Sequence, residues 1–393
     1  MPWSIATFVG VPALLLALAV PAQAQITSSA QADHWGAFFG DQNNADRDLT
    51  SQPQSLTFAA PVVQLGTSNS TQYALLADGT LWAWGQGTNG QLGNGADENS
   101  LTTPVQVQFP PGVLVASLPV SDMPFDTALA IDTNGNAWGW GLNRGGELCL
   151  GNTTAYDTPQ ELPLTGVTAL AGAAQHAVYD AAGTVETCGK NADGVAGIGS
   201  HSRVLALTPE AVTGLPLGVA VTQLYSAYNN DGALLANGKY YDWGYNAAGQ
   251  VGNGRAPAAA SRPARVRIHD TSPVTQVALG GSTKSNGQTL VMLADGTMWA
   301  WGDDSNGQLG DGSTVSQDAP EEITPPPGLT YVTLAAGGST SYAIDTDGNV
   351  WAWGWGKGGQ LGTGRQAESL TPVEADSGAV MISSTASDVV VAS

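Results

Sequence analysis

One short pattern returns along the whole chain and restricts it to a repeat architecture. Four copies read (Asp/Asn)-Gly-x-x-Trp-x-Trp-Gly, at residues 78–85, 134–141, 295–302 and 347–354. Weaker copies end at Gly189 and Gly244, and a seventh, more divergent copy covers Asp33 to Gly40. A unit that recurs at a spacing of about fifty residues indicates one small structural element built several times over.

A second set of residues keeps a constant offset from this pattern. Another glycine follows five residues after six of the anchor glycines, at Gly90, Gly146, Gly194, Gly249, Gly307 and Gly359. Further along each copy a proline recurs, at Pro104, Pro159, Pro209, Pro263, Pro320 and Pro372. The shared offsets fix the register of the repeats relative to one another.

Each repeat is predicted to form a small antiparallel sheet. Trp-x-Trp places two rings on the same face of a strand, because side chains alternate between faces. The preceding Asp-Gly suits a tight hairpin, since glycine accepts positive φ at little cost. Such a sheet buries its aromatic face only by stacking on neighbours, so we predict an all-β, seven-bladed β-propeller. We expect its last blade to be closed by strands from both termini, near Asp33 and over residues 380–391.

These motifs resemble the regulator of chromosome condensation repeat. The pattern Gly-x-(Leu/Val)-Trp-x-Trp-Gly, then Gly-Gln-Leu-Gly, then Thr-Pro, covers about residues 33 to 393. The resemblance implies the propeller fold. The functions that the resemblance implies are those of the family's members. They include nucleotide exchange on a small GTPase with chromatin binding, adaptor roles, and the inhibition of β-lactamases by a secreted bacterial propeller. In location and repeat character the chain is similar to the secreted members.

The charge of the chain excludes one class of partner. Twelve Lys and Arg stand against 33 Asp and Glu, which gives a formal net charge of −21. Nucleic-acid binders gain most of their affinity by neutralising phosphates with basic side chains. The field of this chain repels nucleic acids and anionic membranes. We therefore expect neither partner, and the nuclear role of the family is disfavoured.

The N-terminus predicts export. Residues 5–20 are largely apolar, and Ala22-Gln23-Ala24 suits signal peptidase, although no basic residue precedes Arg47. We divide the chain into a signal peptide (1–24), a linker (25–32) and the propeller (33–393), and expect a secreted or periplasmic monomer.

The two cysteines, Cys149 and Cys188, can form one disulfide or stay as two buried thiols, and the sequence leaves both alternatives open.

A binding surface is predicted on one face of the propeller. The turn entering each Tyr-Ala-Leu-type strand and the turn leaving each Trp-Gly emerge on the same side, because neighbouring strands run in opposite directions. Aromatic and polar side chains on rigid turns suit recognition of a protein partner. These turns also carry Gln175 and Lys190. The candidate partner-binding residues are Tyr73, Phe125, His176, Tyr228, Tyr245, Asp303 and Trp355.

Other functions keep weaker sequence support. No zinc-binding His spacing, nucleophile elbow or phosphate-binding loop is present in the sequence, so no metal, cofactor or catalytic residue is predicted. A carbohydrate-active or polymer-cleaving enzyme with carboxylates at the propeller axis is the alternative to a binding scaffold that inhibits an enzyme. A structural protein without a discrete ligand is the third interpretation.

Overall fold

The computed structural model describes residues 29–37, 49–68, 71–121, 123, 125–201, 204–228, 230–268, 272–281, 283, 287–384 and 388–392. The predicted signal peptide lies outside these residues, as do residues 25–28 of the predicted linker and Phe39-Gly40 of the divergent repeat. The first strand begins at Ser29, so residues 29–32 belong to a strand and not to a linker. Within the described ranges no helix is long and apolar enough to span a membrane.

The chain folds as an all-β propeller with six four-stranded blades and a smaller sheet. Strand β1 is Ser29–Ala37, and blade 1 contains the second part of β2 (Leu49–Ser68), β3 (Thr71–Leu76), β4 (Leu81–Gly85) and β5 (Ser100–Gln106). Blade 2 contains β6 (Val115–Ser117), β7 (Thr127–Asp132), β8 (Ala137–Gly141) and β9 (Tyr156–Glu161). Blade 3 contains β10 (Val167–Ala173), β11 (His176–Ala181), β12 (Thr184–Gly189) and β13 (Ala206–Ala211).

The second half of the chain repeats this order. Blade 4 contains β14 (Val221–Ala227), β15 (Asn230–Leu235), β16 (Tyr240–Gly244) and β17 (Ala260–Arg265). Blade 5 contains β18 (Val274–Leu279), β19 (Gln288–Leu293), β20 (Met298–Gly302) and β21 (Gln317–Ile323). Blade 6 contains β22 (Tyr331–Ala336), β23 (Thr340–Asp345), β24 (Val350–Gly354) and β25 (Ser369–Asp376). In every blade the recurring proline lies in or beside the outermost strand, where a missing N–H disrupts no central ladder.

The smaller sheet joins the two ends of the chain. It contains β26 (Met381–Ser384), β27 (Asp388–Ala392), β1 and the first part of β2. Strand β1 pairs with β27 from Ala32 opposite Ala392 to Gly36 opposite Asp388. Val390 and Ala392 pack in a cluster with blade 1, whereas Val389 and Val391 pack in a cluster with blade 6. The small sheet is therefore covered by a blade on both sides.

The aspartates before the Trp-x-Trp motif hold the hairpins. In blade 6, Oδ1 of Asp345 accepts hydrogen bonds from the N–H of Asp347 and Asn349, each at 2.9 Å. The Oδ2 atom accepts from Trp351 Nε1, also at 2.9 Å. These donors favour the ionised carboxylate, and they hold the pKa of Asp345 below its usual value despite partial burial. The first Trp of the motif is thus fastened to its own hairpin.

In blades 2, 4, 5 and 6 the second Trp of the motif fastens the blade to the preceding one, whereas Trp84 Nε1 in blade 1 has no hydrogen-bond partner among the described residues. Trp353 Nε1 donates to the carbonyl oxygen of Gln308 in blade 5 at 3.0 Å, and Trp301 Nε1 donates to that of Gln250 in blade 4 at 2.9 Å. Trp140 and Trp243 make the same bond to Gln91 and Val195. All four rings are fully buried. The repeat is therefore a device for stacking blades as well as for building one sheet.

The Gly-Gln-(Leu/Val)-Gly motif forms the receiving turn of that contact. At Gly310 φ is +82°, and an added Cβ would lie 2.7 Å from Trp353 Nε1 in the next blade. Only glycine meets both requirements. The Gln side chain closes the same turn, since Gln308 Oε1 accepts from Asn306 N at 2.9 Å. Gln308 therefore holds the turn together.

The two cysteines form a disulfide, which settles the alternative that the sequence left open. Cys149 follows the third strand of blade 2, and Cys188 lies in the third strand of blade 3, with their Cα atoms 5.5 Å apart. The pair is buried beside Leu148, Leu162 and Tyr179. The bridge therefore joins two neighbouring blades through their shared core.

Candidate binding site

The turns predicted to bind a partner do share one face, which we call the loop face. It is formed by the connections between the first and second strands of each blade and by the turns that follow the third strands. The opposite, hairpin face carries the Asp-Gly hairpins and the links between successive blades. The strand order of the six blades fixes this division.

A segment of blade 2 crosses the loop face. Strand β6 has only three residues, and the following residues 118–121, 123, 125 and 126, which we call the axial segment, lean over the neighbouring blades. Met123 N donates to Thr67 O of blade 1 at 2.9 Å. Ser121 Oγ accepts from Ser226 N of blade 4 at 3.0 Å. The segment thereby connects blades on either side of its own position.

The axial segment forms one wall of a cavity on the loop face. Phe125 N donates to Ala174 O of blade 3 at 2.8 Å, which places the Phe125 ring at the rim. That ring meets Tyr228 of blade 4 edge to face, with centroids 5.4 Å apart. The cavity has a volume of about 160 Å³ and is lined by Phe125, Ala174, Gln175, His176, Lys190, Ala192 and Tyr228. Three successive blades therefore contribute to one site.

The backbone at the rim is held in an unfavourable conformation. Ala174 has φ +49° and Asp126 has φ +53°, a backbone region that residues other than glycine rarely adopt. Each such residue costs about 1–3 kcal/mol and persists where the surrounding contacts over-determine it. Ala174 is fixed by the bond to Phe125 N, and Asp126 Oδ2 accepts from Asn89 Nδ2 at 3.0 Å. The cavity rim is a rigid part of the surface.

A buried polar cluster lies at the floor of the cavity. His176 is 1% exposed, and its Nε2 lies 2.9 Å from Asp231 Oδ1. Ser226 Oγ donates to the same carboxylate oxygen at 2.5 Å and lies 3.2 Å from His176 Nε2. In a catalytic Ser-His-Asp triad, serine and aspartate contact opposite nitrogens of the imidazole. Here both contact Nε2, so the cluster cannot pass a proton from Ser226 through the ring.

Glu147 is a carboxylate at a position where four other repeats carry glutamine. Its Oε2 accepts from Gly145 N at 2.7 Å, and its Oε1 accepts from Thr127 Oγ1 at 3.2 Å. Burial raises the pKa of Glu147 to about 7, although the bonds from the Gly145 N–H and Thr127 and the nearby His176 oppose the shift. The side chain thus keeps the turn-closing role of glutamine while adding a titratable group behind the cavity.

The substitution Glu147→Gln should stabilise the chain at pH 8. A carboxyl whose folded pKa exceeds its unfolded value of about 4.5 loses stability as the pH rises from 4.5 to about 7. Two and a half pKa units correspond to about 3 kcal/mol. We expect the free energy of unfolding of the variant to be higher than that of the native chain by up to this amount at pH 8. Near pH 4.5 the two free energies should be equal, and urea unfolding at both pH values measures them. The reverse change Gln250→Glu should destabilise at pH 8 only, and equal pH profiles for all three chains would refute the assignment.

The structure brings three of the predicted site residues together and separates the other four. Phe125, His176 and Tyr228 line the cavity. Tyr245 and Trp355 are half-buried in the turns after the third strands of blades 4 and 6, away from its lining. What the geometry adds is that one part of the loop face is concave and collects candidates from separate repeats.

Like His176, two further predicted contact residues are buried, and these two lie away from the cavity lining, which corrects the predicted contact surface. Tyr73 is 0% exposed, and its hydroxyl donates to Gln91 O at 2.7 Å while its ring packs edge-on against Trp140. Asp303 is 6% exposed and accepts from Gln308 Nε2 at 2.6 Å and Ser305 Oγ at 3.0 Å. Asp303 holds its own turn together, and Tyr73 takes part in the contact between blades 1 and 2. Neither side chain forms part of the accessible surface.

Comparisons with known proteins agree with this architecture. Residues 78–123, 295–344 and 347–388 match the family model described as Regulator of chromosome condensation (RCC1) repeat, and residues 274–308 and 331–360 match a second model of that description. The solved structure of Prp20p from Saccharomyces cerevisiae superposes with a TM-score of 0.78 at 20% identity, covering 93% of this chain and 91% of that one. The fold therefore defines a β-propeller.

The chain is also similar in sequence to two proteins of Arabidopsis thaliana. The Ultraviolet-B receptor UVR8 of Arabidopsis thaliana is 30% identical over 295 residues, which cover 74% of this chain and 64% of UVR8. The mitochondrial RCC1 domain-containing protein RUG3 of Arabidopsis thaliana is 28% identical over 321 residues, covering 75% of this chain and 70% of RUG3. The chain thus spans less than two thirds of UVR8. The chain is similar to proteins built from RCC1 repeats.

Proposed function

We propose that the chain is an exported scaffold that recognises a protein partner through the loop face. The observation that carries the proposal is the cavity shared by Phe125, His176 and Tyr228, which three different blades supply. Aromatic rings at the edge of a rigid concavity are typical of binding hot spots, because they offer contact area at low entropic cost. The rest of the loop face would surround this centre. Inhibition of an enzyme is one form that such binding can take.

The polar cluster favours binding over catalysis. Asp231, the carboxylate at the cavity floor, contacts His176 and Ser226 through Oδ1, while its Oδ2 has no partner among the described residues. The axial segment lies over the same end of the propeller. A hydrolase with two carboxylates at the axis needs both groups facing one substrate-sized space. The cavity, at about 160 Å³, is below the range of ordinary substrate pockets.

Export is supported by chemistry that is independent of the N-terminal sequence. The Cys149–Cys188 disulfide joins two blades, and structural disulfides belong to oxidising compartments. The net charge of −21 favours a dissolved protein that avoids nucleic acids and anionic membranes. A secreted or periplasmic binding protein accommodates both properties.

The small sheet would serve as the seventh blade. It has four strands, drawn from both ends of the chain, and its valines pack against blades 1 and 6. Closing the ring in this way hides strand edges that an open propeller leaves free to pair with other chains. A rigid closed ring also keeps the loops that form the cavity in a fixed relation.

Affinity capture from the envelope and culture-medium fractions of the producing organism tests the proposal. The double variant Phe125→Ala/Tyr228→Ala removes the ring pair, and we expect it to lose the partner that the native chain retains, since removing hot-spot residues costs about 2 kcal/mol or more each. Leu217→Ala is the matched control, because Leu217 is 98% exposed on the hairpin face. Capture of the same proteins by all three chains would show that the loop-face assignment is wrong.

A further inference from the structure

We infer that the Cys149–Cys188 disulfide is a redox-sensitive joint of the loop-face cavity, so that forming the bridge fixes the cavity wall and reducing it loosens the wall. The role of the cavity rests on the proposed function, whereas the joint itself follows from the contacts between blades 2 and 3. Three features carry it: what the bridge replaces, which residues the joined turns contact, and the groove beside Cys149.

Both cysteines stand at positions that form the contact between blades elsewhere in the propeller. Cys149 ends the run Gly146-Glu147-Leu148-Cys149, where five other repeats have glycine. Cys188 pairs with Ala177, in the register that the second Trp holds in the other blades. At four junctions this glycine lies against the indole of that Trp, in the pairs Gly93–Trp140, Gly197–Trp243, Gly252–Trp301 and Gly310–Trp353. The disulfide therefore takes the place of the Gly–Trp contact between blades 2 and 3.

Tyr179 supplies the hydrogen bond that a Trp makes at the other junctions. Its position in the second strand is occupied in the other blades by small side chains, namely Ala74, Ala130, Ala233, Val291 and Ala343. The Tyr179 hydroxyl donates to Glu147 O at 2.7 Å, the carbonyl equivalent to the Trp acceptor in the other turns. The ring is fully buried in one cluster with both cysteines. This bond does not depend on the bridge, so we expect reduction to loosen the junction without separating the blades.

The backbone conformation at Cys149 depends on the bridge. Its φ is +58°, close to the values of +63° to +82° at the equivalent glycines Gly93, Gly197, Gly252 and Gly310. Glycine adopts this region at little cost, whereas a residue with a Cβ remains there only where its contacts hold it. The covalent bond to Cys188 is such a contact. Its loss allows the turn to relax toward a more favourable conformation.

The two turns that the bridge joins also support the cavity. Gly145, in the same turn as Cys149, packs so closely against Gln175 O that no side chain fits there. On the other side of the bridge, Cys188 lies two residues before Lys190, whose N–H donates to Gln175 O at 2.8 Å. Gln175 and Lys190 both line the cavity. The bridge thus holds together two turns that meet at one part of the cavity wall.

A groove between blades 2 and 3 leads to the bridge. Its volume is about 590 Å³, and Cys149 lies in its lining together with Leu150, Leu162 and Thr208. The volume is within the range of pockets that admit small molecules. A thiol reagent can therefore approach Cys149 from the side of the propeller while the blades remain folded.

The chemistry is thiol–disulfide exchange with a dithiol. One thiolate of the dithiol attacks Sγ of Cys149, the S–S bond breaks, and Cys188 leaves as a thiolate. The second thiol then displaces Cys149 from the mixed disulfide. The two protons of the dithiol end on the two cysteines, and the dithiol becomes a disulfide. The reverse sequence, with a disulfide as oxidant, forms the bridge and is the direction that an oxidising compartment favours.

Amide hydrogen exchange tests the inference, followed by NMR on the oxidised chain and on the chain reduced with dithiothreitol in native buffer. The reporters are the N–H groups of Phe125 and Gly151, which bond carbonyl groups of blade 3. The matched controls are those of Gly254 and Gly312, which bond the next blade where a Gly–Trp contact is present. We expect reduction to speed exchange at the reporters about tenfold or more and to leave the controls unchanged, because only one junction is loosened.

Two variants separate the joint from a general loss of stability. Cys149→Ala/Cys188→Ala should exchange at the reporters like the reduced chain and should not respond to dithiothreitol. Cys149→Gly/Tyr179→Ala/Cys188→Trp rebuilds the Gly–Trp contact and should keep slow exchange with or without dithiothreitol. If this triple variant does not fold, the comparison of the alanine pair with the reduced chain decides.

Several results would overturn the inference. They are equal acceleration at reporters and controls, no acceleration in a chain with two free thiols, reduction only as fast as the whole chain unfolds, and fast exchange in a folded triple variant. Equal capture of a partner by the oxidised and reduced chains would also overturn the redox control, while the proposed function would stand. Loosening at the reporters alone, without any captured protein, would support the joint and contradict the proposed partner.

Discussion

Replacing Trp353 by alanine should lower the free energy of unfolding by about 3–5 kcal/mol, as expected for removing a large, fully buried aromatic side chain. Its ring is 0% exposed and stacks with Tyr331 of its own blade at 6.3 Å. Its Nε1 donates to Gln308 O of blade 5, and Gly310 of that blade packs against the same nitrogen. The substitution removes packing and the bond between two blades together. Urea unfolding at equilibrium measures the loss.

Trp351 is the matched control in the same strand. It is half-buried, and Nε1 donates to Asp345 within its own hairpin. Trp351→Ala therefore leaves the Trp353–Gln308 bond between the blades intact, and we expect about half the loss or less, in proportion to the apolar area involved. Equal losses for the two variants would mean that the second Trp has no special role in stacking the blades.

Replacing both cysteines by alanine should also cost several kcal/mol. Cys149 and Cys188 are 39 residues apart, and closing a loop of that length in the unfolded chain corresponds to about 4 kcal/mol in the chain-entropy description. The double variant Cys149→Ala/Cys188→Ala should lose approximately this free energy of unfolding. A reducing agent should destabilise the native chain to a similar extent.

The same variant provides the control for the reducing agent. It should be insensitive to reduction, because it has no bridge to break. Two results together would contradict the disulfide: a thiol reagent detects two free thiols in the unsubstituted chain under denaturing conditions, and reduction does not change the stability of that chain. Such a result would also remove the support that the bridge gives to export.

The architecture was predictable because the residues that form each sheet and its contacts with neighbouring blades recur in every clear copy of the repeat. Trp-x-Trp, the Asp-Gly hairpin and Gly-Gln-Leu-Gly each occur at fixed offsets, and each turns out to serve either its own sheet or the contact with the next blade. What the sequence did not reveal was the division of labour between the two tryptophans. That depends on Gln308 and Gly310, which belong to the preceding repeat and contact Trp353 only after the blades stack.

The candidate site was predictable only in part. Phe125 and Tyr228 lie in turns that interrupt the repeat, and His176 is the first residue of strand β11, so the sequence placed all three at the same end of their blades. Tyr73 was misplaced, since its hydroxyl reaches Gln91 O inside the blade and no sequence pattern indicates that bond. The cluster of Ser226 and Asp231 was missed for the same reason. Glu147 did leave a signal, as a carboxylate where four other repeats have glutamine.

Photo-crosslinking from the loop face tests the central claim most directly. A p-benzoyl-phenylalanine introduced at Tyr228, beside the cavity, is compared with one at Leu217, which is 98% exposed on the hairpin face. Irradiation in the producer's envelope and medium fractions should give a discrete adduct from Tyr228 and none from Leu217. Adducts of the same mass from both positions, or from Leu217 alone, would contradict recognition of a partner through the loop face.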